Sequence, residues 1–189
     1  MARQKILNLT GIDIGEADDK ARPVLEKAKS QVGFVPNMYA NMVNVPAVLD
    51  TYLHGYEKFR KETGFSPAEQ EVVLLAISHE NHCEYCMGAH SMLAAKQSGV
   101  PEHAIQSLRE GKAIDDQKLA ALDSFTRTMV RTRGNPSRVD VDRFLDSGFS
   151  EQQVLGIVLA IAVKTLSNYS NHLFNTELDQ VFADYAWEG

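Results

Sequence analysis

The sequence predicts an all-α fold, and two observations along its 189 residues support that prediction. Helix-capping patterns separate apolar stretches of helical length, whereas alternating strand patterns bounded by hairpin dipeptides are absent. Hydrophobic residues make up 44% and charged residues 23% of the chain, which is ordinary for a globular protein. A chain of this length can bury a core of its own. We therefore expect one domain over residues 1–189, a multi-helix bundle of eight or nine helices.

Proline and glycine residues mark the expected ends of the first helices. Pro23 can begin a helix that Gly33 ends, and Pro46 can begin another that runs to Gly64. Later glycines follow apolar-periodic stretches, where a left-handed C-cap belongs. These glycines are Gly99, Gly111 and Gly134.

Three capping boxes predict the starts of further helices. Ser-Pro-Ala-Glu at 66–69 combines an N-cap serine, a proline at the first helical position and a glutamate at the third. Ser-x-x-Gln at 150–153 is a second box, and Ser-x-x-Asp at 137–140 is a weaker one. The first box predicts a helix over 67–81 whose VVLLAI stretch, apolar on all sides, is buried.

The stretch NHCEYCMGAH at 81–90 holds both cysteines of the chain. Asn81 and Glu84 can form an Asx-type capping box, so we expect a new helix to begin at His82 or Cys83. This puts Cys83 in the first turn and Cys86 just after it. The N-terminal dipole and unpaired N–H groups of that turn favour the thiolate form of cysteine.

Two acid–base residues accompany the cysteines. His90 is the i+4 neighbour of Cys86 on one helix face, and Cys83 and Cys86 are close enough in sequence to form a disulfide. Glu71 lies 12 residues before Cys83, near the start of the buried helix. It either orients His90 and takes up its proton, or merely complements the helix dipole; the residues alone favour neither role.

Net charge and hydropathy indicate which binding partners and which cellular location to expect. The formal net charge of −6 provides no basic face for phosphates, so we expect no nucleic-acid partner. The start MARQKILNLTGIDIG lacks the apolar core of a signal peptide, and the longest apolar run, VLGIVLAIAV, is about half a membrane span. We expect a cytoplasmic protein without a membrane partner. In a reducing compartment a Cys-x-x-Cys pair is more often catalytic or metal-binding than structural.

An internal repeat appears when the sequence is shifted by 84 residues. Residues 64–86 then lie over 148–170 with seven of 23 positions identical, including the Gly-Phe-Ser start. C-E-Y-C corresponds to S-N-Y-S, so only the first copy carries thiols. We interpret this as a duplicated helical unit, with a redox core at about 64–98 and a chemically silent, thiol-free repeat at about 148–182. Chance similarity of two capped aliphatic helices is the alternative.

The pattern E71-x11-C83-x2-C86-x3-H90 resembles the core signature of the alkyl hydroperoxidase D-like members of the carboxymuconolactone decarboxylase family. The stretches GFVPNMYANMVNVPAVL at 33–49 and SNYSNHLFNTELD at 167–179 resemble its peroxidase-related branch. The resemblance covers most of the chain. It implies an all-helical fold built from a repeated unit, in agreement with the offset of 84 residues.

By this resemblance the protein is a thiol-dependent peroxidase with an antioxidant role. Cys86 is then the peroxidatic cysteine, Cys83 the resolving cysteine, and His90 and Glu71 the proton relay. The implied partners are a peroxide substrate and an external dithiol reductant, such as a lipoyl or thioredoxin-like protein, and the implied assembly is a homo-oligomer. No cofactor or metal is expected.

One departure from the family pattern concerns the residue between the cysteines. The best-known relatives carry a histidine at the position of Tyr85, so this chain lacks one base of the relay, and His82 is a candidate to replace it.

Three other functions remain open at this point. With Cys83, Cys86 and His90, His79 and His82 could bind zinc, although a tetrahedral site from one helical stretch is geometrically awkward. A lactone decarboxylase would not need the thiols. A non-catalytic redox sensor would use the disulfide to switch a partner. Outside the motif, further candidates are pocket residues at Asn168, His172 and Asn175 and an intersubunit contact at Trp187.

Overall fold

The computed structural model describes residues 4–189 and confirms the all-α prediction, since no strand occurs within that range. Nine α-helices are followed by a short 3-10 helix, Gln180–Tyr185. The α-helices are α1 Ala21–Val32, α2 Asn37–Met42, α3 Pro46–Glu62, α4 Pro67–Glu80, α5 Glu84–Lys96, α6 Glu102–Glu110, α7 Gln117–Arg131, α8 Arg138–Asp146 and α9 Glu151–Phe174.

The three predicted capping boxes all form. The Ser66 hydroxyl accepts the Glu69 N–H at 3.3 Å, and the Glu69 carboxylate accepts the Ser66 N–H at 2.8 Å. Equivalent reciprocal bonds begin α8 and α9 at 137–140 and 150–153. Each box satisfies backbone N–H groups that the first turn of a helix leaves unpaired. Sequence therefore placed these three helix starts correctly.

The boundary between α4 and α5 differs from the prediction. Asn81 ends α4 instead of capping α5, and its backbone N–H bonds back to Ile77 at 3.0 Å. His82 adopts a left-handed conformation with φ of 51°, which breaks the helix; apart from glycine, histidine is one of the few residues enriched in that conformation. Cys83 is consequently the N-cap of α5, and Cys86 is the third helical residue. Cys86, and not Cys83 as predicted, therefore lies in the first turn of α5.

Helix α4 is the centre of the bundle, as its apolar sequence predicted. It packs against α5, α6, α7 and α9, and residues 72–77 are all fully buried. A helix that is apolar on every side has no face suited to solvent, so it is stable only when other helices surround it. The polar Glu71 enters this core on the same helix, which places a carboxylate deep inside the bundle.

Helix α9 is the longest helix and lies beside α2, α3, α4 and α7. By length and hydropathy it could cross a membrane, and it is the one such helix in the described range. Its inward face nevertheless carries four buried polar residues. They are Lys164, Ser167, Asn168 and Asn171. These polar groups face the bundle interior, and through them α9 contributes to the site described below.

The two copies of the predicted repeat share their starting geometry. Gly64 and Gly148 have φ of 74° and 89°, and each precedes a buried phenylalanine and a capping box. The rings of Phe65 and Phe149 lie 6.0 Å apart, and α4 packs against α9. The copies diverge further along, because α4 breaks before the cysteines whereas α9 continues. Common origin remains a prediction; the shared geometry at the helix starts is observed.

Candidate active site

Cys83 and Cys86 are free thiols that lie together beneath the surface. Both are buried, with 0% and 2% of their area exposed. They occupy the N-cap and the first turn of α5, where the helix dipole favours negative charge on sulfur. The amide nitrogen of Asn171 on α9 lies 3.6 Å from the Cys83 sulfur and 3.4 Å from the Cys86 sulfur. The site is thus assembled from α5 and α9 together.

The two thiols have opposite acidities. Burial would raise the pKa of Cys86, but a hydrogen bond from the Cys83 thiol, the positive charge of Lys164 and the neighbouring His90 hold that pKa well below its usual range. Burial and the neighbouring Cys86 raise the pKa of the Cys83 thiol well above its usual range. The pair therefore holds one thiolate, on Cys86, with Cys83 as its hydrogen-bond donor.

Glu71 and His90 are in direct contact. The Glu71 Oε2 atom lies 2.9 Å from the His90 Nδ1 atom, and both side chains are buried. Arg60 on α3 forms an ion pair with Glu71 and a hydrogen bond with the Tyr56 hydroxyl. Of the two roles that the sequence left open for Glu71, the geometry is that of an orienter of His90.

The charge states of this group follow from its surroundings. Burial would raise the pKa of Glu71, but contacts with His90 and Arg60 lower it, so the carboxylate stays ionised. Burial and the positive charge of Lys164 lower the pKa of His90, although Glu71 opposes this effect. At neutral pH His90 is a neutral imidazole that donates from Nδ1 to Glu71, which leaves its other nitrogen able to accept a proton.

A cavity of about 360 Å³ opens on Cys86 and His90. No Asp, Glu, Lys or Arg is among its described lining residues. Its wall is largely aromatic and aliphatic: Phe34, Met38, Tyr39, Tyr52, Tyr56, Tyr85, Ala89, Met92, Leu93 and Phe182 contribute to it. Burial raises the pKa of Tyr56 to about 12, and it also raises the pKa values of Tyr39, Tyr52 and Tyr85, so these phenols are neutral. The cavity suits an uncharged organic molecule.

Tyr85, the residue between the cysteines, points away from the relay. Its hydroxyl donates to Asp179, whose carboxylate also accepts the N–H of Asn37 at the start of α2, with both oxygens 3.2 Å away. Its ring packs edge-on against Phe182, which lines the cavity. Tyr85 therefore holds the C-terminal segment, residues 176–187, over the site.

The remaining sequence candidates have other positions. His82 is exposed and its ring lies near that of His79, so it does not line the cavity beside Cys86. His79 contacts Arg127 at 2.9 Å, away from the cysteines. In the part of the chain that the structure describes, no three His, Cys, Asp or Glu side chains are grouped to hold a metal ion. The zinc alternative therefore has no geometric support.

The three polar residues that the sequence suggested as pocket residues occupy different positions in the structure. Asn168 accepts a hydrogen bond from Asn81 at 2.8 Å, and Asn175 ends α9 in a left-handed conformation. His172 and Asn175 line a small cleft beside Cys83. Trp187 packs within its own chain, because its indole N–H donates to the Arg109 carbonyl at 2.8 Å. The intersubunit contact at Trp187 stays a prediction.

Three site residues were missed by sequence reasoning. Arg60, Lys164 and Asn171 lie outside the Cys-x-x-Cys segment and reach the site only through packing of α3 and α9. The available signal was Lys164, a single charge that directly follows the apolar run of α9. Asn171 of the second copy contacts both sulfurs, and the chemical silence of that copy stays a prediction.

Comparisons with solved structures identify the fold of the chain. The fold is similar to a peroxidase-related protein from Ralstonia eutropha JMP134, described as an alkylhydroperoxidase AhpD core (TM-score 0.80, 19% identity, 95% of each chain). It is also similar to a peroxidase-related protein from Silicibacter sp. TM1040 (TM-score 0.73, 21% identity, 95% of this chain and 96% of the other). A third similar structure is a variant of the debrominase Bmp8 in complex with 2,3,4-tribromopyrrole (TM-score 0.78, 15% identity, 95% of each chain). The molecule has the AhpD-like all-α fold.

The sequence itself agrees with this class. Residues 46–126, which include Glu71, both cysteines and His90, match the family model described as "Carboxymuconolactone decarboxylase family". No curated protein matches at a significant level. Residues 46–126 are thus similar in sequence to the carboxymuconolactone decarboxylase family, and the chain has the AhpD-like all-α fold.

Proposed function

We propose that the protein is a thiol-dependent peroxidase that reduces organic hydroperoxides with the Cys83–Cys86 pair. The observation that carries this proposal is the placement of two adjacent free thiols, of which Cys86 lines the cavity beside His90 and Cys83 does not. Cys86, with its lowered pKa, opens on the cavity, and Cys83 stays protonated beside it. A thiolate next to a neutral thiol is the arrangement that attack followed by resolution requires.

The reaction balances with two thiols and one hydroperoxide. The Cys86 sulfur attacks the terminal oxygen, so an S–O bond forms, the O–O bond breaks and an alkoxide leaves. The alkoxide takes up a proton and becomes an alcohol. Cys83 then displaces water from the Cys86 sulfenic acid to form a disulfide. An external dithiol reduces that disulfide by exchange, and is itself oxidised.

His90 and Glu71 fit the role of proton carriers in this sequence. Because Cys86 rests as a thiolate, the neutral imidazole takes up a proton from solvent and passes it to the leaving alkoxide. The Glu71 carboxylate, 2.9 Å from His90 Nδ1, stabilises the imidazolium formed between these steps. Arg60 keeps Glu71 ionised in the protein interior.

The cavity supports an organic rather than an inorganic peroxide. Its wall of aromatic and aliphatic side chains offers favourable contact to an alkyl or aryl group and little to hydrogen peroxide. We expect cumene hydroperoxide to react faster than hydrogen peroxide at equal concentration.

Steady-state turnover tests the proposed activity. The protein is mixed with excess cumene hydroperoxide and dihydrolipoamide, and peroxide loss is followed with Cys86→Ser as the inactive comparison. Consumption of many equivalents per chain, abolished in Cys86→Ser, is the expected result. Consumption of a single equivalent without turnover would identify a redox sensor and exclude the peroxidase. Release of carbon dioxide from a carboxylated lactone, without peroxide loss, would favour the decarboxylase alternative.

A second candidate is reductive debromination of an aromatic ring. It is favoured by the uncharged aromatic wall beside Cys86 and by the likeness in fold to a debrominase bound to 2,3,4-tribromopyrrole. The balance is again that of a dithiol: the C–Br bond becomes C–H, bromide and a proton leave, and the thiols become a disulfide. Release of bromide from 2,3,4-tribromopyrrole with dihydrolipoamide, at a rate above that with cumene hydroperoxide, would place this candidate first.

A further inference from the structure

Lys164 is a buried lysine on α9 that the reaction above leaves without a role. Its side chain is fully buried, and its Nζ atom has no oxygen or nitrogen partner among the described residues. Isolated ammonium groups are costly to bury, and a protein usually pairs them with an anion. The position of Lys164 therefore requires an explanation from the groups around it.

The nearby carboxylate is already paired. Glu71, the acidic residue of the site, forms its ion pair with Arg60 and its hydrogen bond with His90. These contacts balance one negative charge with one positive charge, and His90 is neutral. Lys164 is left as a second positive charge in the site without a carboxylate partner.

The buried face of α9 that carries Lys164 also carries Asn171, which contacts both sulfurs. The positive charge of Lys164 acts on Cys86, Cys83 and His90, lowering the pKa of Cys86 and restraining the rise in the pKa of Cys83. Asn171, two turns further along the same face of α9, points its amide N–H at both sulfurs. Helix α9 thus presents a cation and a neutral donor to the same pair of sulfur atoms.

We propose that Lys164 is the counter-ion of the Cys86 thiolate. The assignment deepens the proposed function, since it names the charge that keeps a buried cysteine in its nucleophilic form. Site neutrality follows from two pairs: Arg60 with Glu71, and Lys164 with Cys86. A thiol at position 86 without Lys164 would have to ionise inside an apolar bundle with only hydrogen bonds to stabilise it.

The other ionisable groups around Cys86 do not supply this charge. They are Tyr39 from α2, Tyr52, Tyr56 and Arg60 from α3, Glu71 from α4, and Cys83, Tyr85 and His90 from the α5 region. The tyrosines, His90 and Cys83 are neutral at pH 7. Arg60 is committed to Glu71, so Lys164 is the cation that has no other partner in the site.

The test measures thiolate formation without any peroxide. The rate of iodoacetamide alkylation at Cys86, resolved by peptide mass, is recorded against pH for the wild type, Lys164→Met and Lys164→Arg. Loss of an opposite charge raises a pKa by about 1–3 units, so Lys164→Met should react ~10-fold to 1,000-fold more slowly at pH values below both midpoints. Lys164→Arg retains the charge and should keep a midpoint near that of the wild type.

Ser167→Ala is the matched control, because Ser167 is equally buried one turn away and bonds only to carbonyls of its own helix. Its midpoint should not move. An unchanged midpoint in folded Lys164→Met would overturn the proposal, as would equal shifts in the Met and Arg variants. If Lys164→Met does not fold, Lys164→Gln provides the neutral variant. A raised midpoint in a protein that fails to turn over peroxide would keep this assignment and reject the peroxidase.

Discussion

At the scale of single residues, the site separates the tasks of its two cysteines. Both thiols are buried to nearly the same degree, so burial cannot explain why their pKa values move in opposite directions. The difference comes from the hydrogen bond between them and from the surrounding charges. Cys83 donates, Cys86 accepts, and the acceptor is the sulfur that opens on the cavity.

The two cysteines should therefore respond differently to substitution. In Cys83→Ser, cumene hydroperoxide should leave a sulfenic acid on Cys86, because no thiol remains to resolve it. In Cys86→Ser, turnover should vanish and Cys83 should stay reduced, since its pKa is raised. Dimedone labelling followed by peptide mass spectrometry distinguishes the products. Equal activity in the two variants would contradict the assignment of Cys86 as the attacking residue.

Glu71 should contribute through its charge rather than its shape. Glu71→Gln keeps the volume but removes the carboxylate that stabilises a protonated His90, so kcat with cumene hydroperoxide should fall by ~10²-fold or more. Glu69→Gln is the matched control on the same helix, because glutamine can still close the capping box. Similar losses in both variants would mean that the effect is structural.

The lowered pKa of Cys86 also predicts how stability depends on pH. The unfolded thiol titrates near its ordinary pKa of about 8.5, whereas the folded thiol titrates well below its usual range. Between these two pKa values the unfolded state binds more protons than the folded state, so the free energy of unfolding should increase as pH rises. The stabilisation is complete above the unfolded pKa and is lost as pH falls through the folded pKa. Cys86→Ala should lack this rise. Urea unfolding of reduced protein below pH 8.5 measures it, and parallel curves would contradict a native thiolate.

The four residues of the signature could be chosen from sequence spacing, and the structure brings them into one site. What spacing could not give was their charge balance. Arg60 pairs with Glu71 from α3, and the positive charge of Lys164 acts on Cys86 from α9. Such contacts depend on which helix faces meet, and one sequence does not carry that information.

At the scale of helices, local chemistry explains most of the boundaries. The serine boxes were readable because each uses residues three positions apart, and all three formed. The break before α5 was predicted at the wrong residue. It depends on the left-handed conformation of His82, and no local sequence motif indicates that conformation. That break is consequential, since it creates the helix N-terminus that contains Cys86.

The two helices of the predicted repeat, α4 and α9, provide a test of the capping energetics. Ser66→Ala and Ser150→Ala each remove a side-chain acceptor for a first-turn N–H, and each should lower the free energy of unfolding by about 1 kcal/mol. Ser66→Asp and Ser150→Asp should retain most of the stability. Chemical unfolding of the four variants provides the values. A loss confined to position 66 would show that the second start is not equivalent to the first.

At the scale of the whole molecule, the C-terminal segment completes the cavity. Arg109 binds the carbonyls of Tyr185 and Ala186 at 2.9 and 2.7 Å, and Phe182 contributes to the cavity wall. Asp179 links this segment to Tyr85 and to α2. Residues nearly 100 positions apart thus enclose Cys86, and sequence analysis assigned no such role to this segment. A single domain, a cytoplasmic location and a homo-oligomer remain predictions.

The central claim is that Cys86 and Cys83 act together as one dithiol that a peroxide oxidises. The most direct test is the intact mass of the reduced protein before and after one equivalent of cumene hydroperoxide, and again after dihydrolipoamide. The account predicts a loss of two hydrogen atoms within the monomer, fully restored by the dithiol. A gain of oxygen without a disulfide, a covalent dimer, or no change in mass would contradict it.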